Sequence, residues 1–164
     1  MSEGVPDPLV TWRGTVSSDW VDYNGHLRDA YYGLIFSFAT DAWMDQIGLD
    51  EQGRADTGHT LYTLEAHQNF LLEVQVETAV EVHTQILGAD HKRVQVFHTL
   101  LRSDNAAVLA TTELMLCNID TTGPRSAAFA PSVASRLAPV VQAHRLLSRP
   151  PQAGRSIALP APRP

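Results

Sequence analysis

The spacing of apolar positions changes period along the chain, and each change marks an element. From Leu9 to Ser17 the alternation is loose and close to two, which predicts a first strand. From Ala30 to Ile47 apolar residues recur at helical spacing on more than one side. Leu27, Tyr31, Leu34 and Phe38 form one stripe, while Tyr32, Ile35, Phe36, Ala39 and Trp43 fill the opposite one. A helix apolar all round is expected to be buried, and Gly48 is its natural stop. Ser37, Thr40, Asp41 and Asp45 make it a poor membrane span. Asp50 to Gly58 is polar, contains two glycines and reads as a loop.

Period two returns at His59. Strands are predicted over His59–Phe70 and Ala79–Leu87; in the latter Val80, Val82, Thr84 and Ile86 face one way and Glu81, His83 and Gln85 the other. Gly88–His91 reads as a hairpin connection, Arg93–Arg102 as the next strand, Ser103–Asn105 as a turn and Val108–Asn118 as a last long strand. Pro131–Leu147 fits an amphipathic closing helix with Val133, Leu137, Val140, Val141 and Leu146 on its apolar side. The tail, Arg149–Pro164, carries five prolines and reads as extended or disordered. The chain therefore divides into one domain, residues 1–148, and a proline-rich tail, 149–164.

The order is that of an α+β unit: strand, long helix, about four antiparallel strands, short helix. One sheet buries such a helix only by curling round it. With 164 residues, 44% hydrophobic and 18% charged, the chain can build a core without staples. Cys117 is the single cysteine, so no intramolecular disulfide forms, and a reducing, cytoplasmic setting is expected. Met1–Pro8 is acidic and proline-bearing, unlike a signal peptide. The net charge of −6 and the scattered basic residues argue against nucleic acid, and no membrane segment is expected.

Chemistry concentrates in Asp19-Trp20-Val21-Asp22-Tyr23-Asn24-Gly25-His26-Leu27-Arg28-Asp29, a polar turn that opens into the long helix. The amides of Gly25 to Arg28 are expected at the positive helix end, where orphan N–H groups face outward. Read alone, Asp22 serves as a cap, a brace of the turn or a reactive carboxylate. Asn24 is either the N-cap or a substrate contact. His26 either orients Asp22 or a water, or holds the first turn, and Asp29 complements the helix dipole. In the strand His59–Phe70, Glu65, His67 and Asn69 share parity and hence a face; Tyr62 lies on the other and is expected in the core. The seven histidines show no ligand-pair spacing and no Cys partner, so no metal is expected. Cys117, in an apolar strand end, reads as core, and no Gly-x-Ser-x-Gly elbow is present.

The run Asp22-Tyr23-Asn24-Gly25-His26, then Asp29-Ala30-Tyr31-Tyr32 and Gly48 at the helix end, resembles the hotdog-fold acyl-CoA thioesterases similar to 4-hydroxybenzoyl-CoA thioesterase. Thr63-Leu64-Glu65-Ala66-His67 and Arg125-Ser126 look like the betainyl-CoA thioesterases of carnitine breakdown within that group. The resemblance implies a hotdog fold, hydrolysis of a small acyl-CoA, and a homodimer or tetramer with its site at the subunit interface. It implies Asp22 as nucleophile or general base, with its charge destabilised in a water-poor groove, and His26 and Glu65 beside it. Tyr23, Asn24, Gly25, Tyr31, His67 and Asn69 become substrate contacts, and Tyr23 and Tyr31 the aromatic faces for a cationic acyl group. No cofactor is implied, since coenzyme A belongs to the substrate; Arg93, Arg102, Arg125 or Lys92 are candidates for its phosphates. A hotdog hydratase or dehydratase is the alternative, but its Asp-x-Asn-Pro-x-His pattern is one residue longer than Asp22-x-Asn24-Gly25-His26 and has a proline. That difference turns the histidine by about 100° on a helix. A noncatalytic acyl-CoA-binding protein is the third reading.

Overall fold

Five long strands and one short one build a single antiparallel sheet: β1 (Leu9–Thr15), β2 (His59–Phe70), β3 (Ala79–Ala89), β4 (Arg93–Arg102), β5 (Val108–Asp120) and β6 (Arg125–Ser126). Their order across the sheet is β1-β3-β4-β5-β2, with β6 paired to β5. The computed structural model describes residues 7–162, so the reading of the N-terminus falls, for residues 1–6, outside the described residues. The sheet curls round α1 (Asp29–Gln46), and α3 (Pro131–His144) closes one end. This is the expected hotdog arrangement.

Two apolar clusters hold the helix to the sheet. Tyr32, Ile35, Phe36 and Ala39 pack with Val16, Val80, Val82, Leu100 and Leu109; Trp43, Met44 and Ile47 pack with Ile86, Val94, Val96, Leu116 and α3. Fully burying each such side chain contributes roughly 1.5–3 kcal/mol. Burial is confined to one side of α1, which corrects the expectation of a helix enclosed all round. Ser37, Phe38, Asp41 and Asp45 are exposed. Phe38 and Tyr31 are instead covered in part by an aromatic ladder, with Trp12 stacked on Phe38 at 6.1 Å and Trp20 on Tyr31 at 6.2 Å.

Three further differences have local causes. Residues 50–58 form a helix, α2 (Glu51–Thr57), rather than a loop. The Asp50 side chain accepts from the Gly53 N–H at 2.8 Å, and Gly58 closes the helix in the left-handed region (φ 67°). In β2 a bulge between Thr63 and Glu65 reverses the parity of the strand. Tyr62, expected in the core, is thereby on the outer face and 48% exposed, whereas Leu61 packs against the core. Finally, α3 stops at His144, where the imidazole Nδ1 accepts the Ile86 N–H at 2.9 Å; Leu146 lies beyond the helix and is exposed.

A polar chain crosses the core. Thr40 Oγ1 donates its one proton to the Phe36 carbonyl at 2.9 Å, so His98 Nε2–H donates to Thr40 at 3.0 Å. His98 Nδ1 then accepts from Thr84 Oγ1 at 2.7 Å, and Thr84 accepts from Thr11 at 2.7 Å. This fixes a neutral imidazole, stacked on Phe36, and burial lowers its pKa to about 3.

Residues 148–155 run across the outer face of the sheet. The Ser148 carbonyl accepts from Gln85 Nε2, the Gly154 N–H donates to Glu113 Oε2, and Arg155 Nη1 reaches Asn69 Oδ1 at 3.5 Å. Phe97 lies between Gln85 and Glu113 in register and, though its side chain points outward, is only 2% exposed beneath this strap.

Candidate active site

A short 3₁₀ turn, Ser18–Trp20, delivers the chain to residues 21–28, which fold back on themselves through a bridge between Val21 and Leu27. The loop after β2 clamps this turn from the other side: Leu27 N–H donates to Val74 O at 2.7 Å and Val76 N–H to Gly25 O at 3.0 Å. Gly25 takes φ 76°, which a residue with a Cβ adopts only with strain, and open space surrounds it.

Asp22 is the centre of the turn. Its Oδ1 accepts the N–H groups of Asn24 at 2.8 Å and His26 at 3.2 Å, while its backbone oxygen accepts that of Gly25 at 3.0 Å. Arg28 N–H donates to Trp20 O at 3.0 Å. Every amide from Asn24 to Arg28 is thus spent on the turn, so the expectation that Gly25–Arg28 present free amides is corrected. The first helical N–H, that of Asp29, has no acceptor among the described residues, and no side chain caps this end. Asn24 is four residues upstream of the N-cap position, Arg28, and is not the cap. Asp29 accepts the Ala30 N–H at the positive end of the helix.

The two amides, His26's first, hold the Asp22 carboxyl below the ordinary aspartate value of 3.8, with smaller contributions from the nearby charges of His26 and Arg28. Its charge is stabilised, not destabilised as expected, because the turn supplies donors and a single chain leaves the group in contact with water. Asp22 is ionised at neutral pH.

His26 turns its imidazole to Glu73, with Nε2 to Oε2 at 3.5 Å, a partner that the sequence reading missed because it lies in the loop after β2. Tyr23 is 94% exposed, and Tyr31 is stacked on Trp20. Glu65, His67 and Asn69 do share a face, but it is the outer one, beside Gln95, Glu113 and Arg155. Within one chain that face is turned away from α1, whose side of β2 carries Ala66, Gln68 and Phe70. Asp22, Asn24, Gly25 and His26 are therefore brought together; Glu65, His67 and Asn69 form a second group. Of the phosphate candidates, Arg93 is paired with Asp90 at 2.7 Å, Arg102 with Asp104 at 3.1 Å and Arg125 with Asp120 at 3.6 Å, and Lys92 bonds Ser126. Among the described residues no group of three or more His, Cys, Asp or Glu could hold a metal, and no helix is long and apolar enough to cross a membrane.

The chain as a whole has counterparts among known proteins. Residues 16–137 match the model of the thioesterase-like superfamily. A betainyl-CoA thioesterase of Pseudomonas aeruginosa is 50% identical over 152 residues, which cover 93% of this chain and 96% of that one. A crystal structure from Pseudomonas putida, described as a thioesterase, superposes with a TM-score of 0.82 at 48% identity, covering 96% of this chain and 100% of that one. A Staphylococcus aureus protein solved in complex with CoA gives 0.87 at 30% identity, with the same coverages. With most of its length matched in family, sequence and fold, the chain belongs to the thioesterase-like superfamily and is a thioester hydrolase of the acyl-CoA class.

Proposed function

We propose that the protein hydrolyses betainyl-CoA to glycine betaine and CoA, with Asp22 as its catalytic carboxylate. The observation that carries the catalytic assignment is the turn itself: the amides of Asn24 and His26 hold one carboxylate oxygen, those of Gly25, Leu27 and Arg28 are spent on backbone carbonyls, and the next, at Asp29, is left for a carbonyl oxygen. A donor at a helix start stabilises charge developing on that oxygen. Asp22, whose Oδ2 is not engaged by the turn, either draws a proton from the water that attacks the carbonyl carbon, or attacks that carbon itself to form a mixed anhydride that water then hydrolyses. The C–S bond breaks, the thiolate of CoA takes up a proton, and the acid is released. His26, Tyr23, Asn24 and Gly25 border the reacting atoms, and Tyr31 flanks them through Trp20.

The enzyme acts as a homodimer or tetramer. β2 is a twelve-residue edge strand whose second side is unpaired among the described residues, and Tyr62, Leu64, Phe70, Leu71 and Leu72 are exposed on or beside it. Long apolar edges of this kind are covered in soluble proteins. The reaction is a hydrolysis that draws on no cofactor beyond the CoA of its substrate, and the setting is cytoplasmic. The test is Asp22→Asn, assayed by thiol release from betainyl-CoA. Turnover is expected to fall at least about a hundredfold with the circular dichroism unchanged; an unimpaired variant refutes the assignment. Because the carboxyl is held below 3.8, the wild-type rate does not follow an ordinary aspartate titration as pH falls toward that value.

A further inference from the structure

α1 packs against β1, β3 and β4 but stands off β2, leaving a trench along its other side. The upper stretch, about 260 Å³, lies between the first turn of α1 and Phe70–Glu73 and has Asp29 and Tyr32 in its wall. The lower stretch, about 310 Å³, continues down the helix from Gly33, over the inner faces of β2 and β5. Gly33 lies one helical turn, ~6 Å, below Asp29. A Cβ there would stand 3.3 Å from Gln68 Nε2. Thr112, opposite Gln68 in register, is 0% exposed and its hydroxyl has no partner, although it lines the trench. An unpaired buried hydroxyl is costly and marks a place where a ligand or its water completes the structure.

The chemistry of the walls is one-sided. No Lys, Arg or His lines either stretch. Tyr32 and Phe70 meet edge to face at 5.1 Å, and both line the upper stretch. Glu73 stands at the same mouth, 79% exposed, with the His26 Nε2 at 3.5 Å. Ring surface beside a carboxylate suits a cation too bulky and too apolar to be well hydrated. It disfavours an anionic acyl group.

We propose that this trench is the acyl subsite and that it selects short acyl groups ending in a quaternary ammonium, with Glu73 as counter-charge and Tyr32 and Phe70 as the aromatic wall. With the thioester oxygen at the Asp29 N–H, an ammonium one methylene beyond the carbonyl stays in the upper stretch, beside Tyr32, Phe70 and Glu73. The proposal rests on the acyl-CoA hydrolase reading and assigns its substrate selectivity to residues outside the catalytic turn.

The test compares betainyl-CoA with 3,3-dimethylbutanoyl-CoA, which has the same shape with carbon in place of the charged nitrogen. Wild-type protein is expected to favour the charged ester in kcat/KM at least tenfold. Glu73→Gln and, separately, Phe70→Leu each reduce that ratio at least tenfold. The ratio cancels any loss common to both esters, and either variant suffices if the other does not fold. Equal rates for wild type, or a ratio unmoved in both variants, overturn the proposal while leaving the hydrolase reading intact. Absence of thiol release from both esters by the wild type overturns that reading and the proposal with it.

Discussion

Acidification should unfold this protein through one histidine. His98 is completely buried, and the direction of its hydrogen bonds leaves Nδ1 only a hydroxyl donor to face. Its pKa is lowered from 6.5 to about 3, by burial. A group whose folded pKa is depressed takes up its proton first in the unfolded chain. The stability it confers is whole above 6.5 and is lost progressively as pH falls from there toward 3. The slope is about 1.4 kcal/mol per pH unit, so this histidine alone removes about 3 kcal/mol by pH 4.5. That is a large share of the roughly 5–15 kcal/mol that holds a domain folded. His98→Gln keeps a donor and an acceptor near Thr40 and Thr84 but cannot titrate. Urea unfolding at fixed protein concentration, followed between pH 8 and pH 4.5 by fluorescence of the buried Trp43, measures the difference. The variant should be weaker at pH 8 by roughly 1–3 kcal/mol, and the gap should narrow as pH falls because only the wild type carries the extra slope. Parallel curves for the two proteins would refute the reasoning. His144 is also depressed by burial and adds a slope of the same sign, but equally in both.

Two further outcomes follow from geometry. Gly33→Ala should raise the melting temperature, since alanine favours helix by up to ~1 kcal/mol over glycine. The same methyl narrows the trench at Gln68, so kcat/KM for betainyl-CoA should fall; calorimetry and the thiol assay on one preparation check both signs. Ending the chain at Leu147 removes the strap from Phe97, and the bared ring should lower the unfolding midpoint by about 1.5–3 kcal/mol equivalent and bind a hydrophobic dye that the full chain does not.

The elements that alternate or repeat locally were legible in the sequence: β2 and β4 begin and end where the pattern places them, and α1 differs by one residue at each end. What failed depended on groups the pattern does not carry. α2 was hidden because Gly53 argues for a loop, while the cap that outweighs it is a single oxygen of Asp50. The parity of β2 was misread at Tyr62 because a bulge has no mark in composition. Asp22 was singled out from the motif, but the stabilisation of its charge was not legible there, since that follows from which amides the turn consumes. Glu73 and Thr112 reach the trench only through the loop after β2 and the pairing of β5 with β2, contacts between residues far apart in the chain.

The extra residue at Leu64 has a consequence for how this strand tolerates change. Up to position 63 the odd-numbered side chains are the ones that face α1; from 66 onward it is the even-numbered ones. A profile of substitution effects along residues 59–70 should accordingly slip by half a cycle at 64, with Leu61 and Thr63 sensitive on one side of the slip and Gln68 and Phe70 on the other.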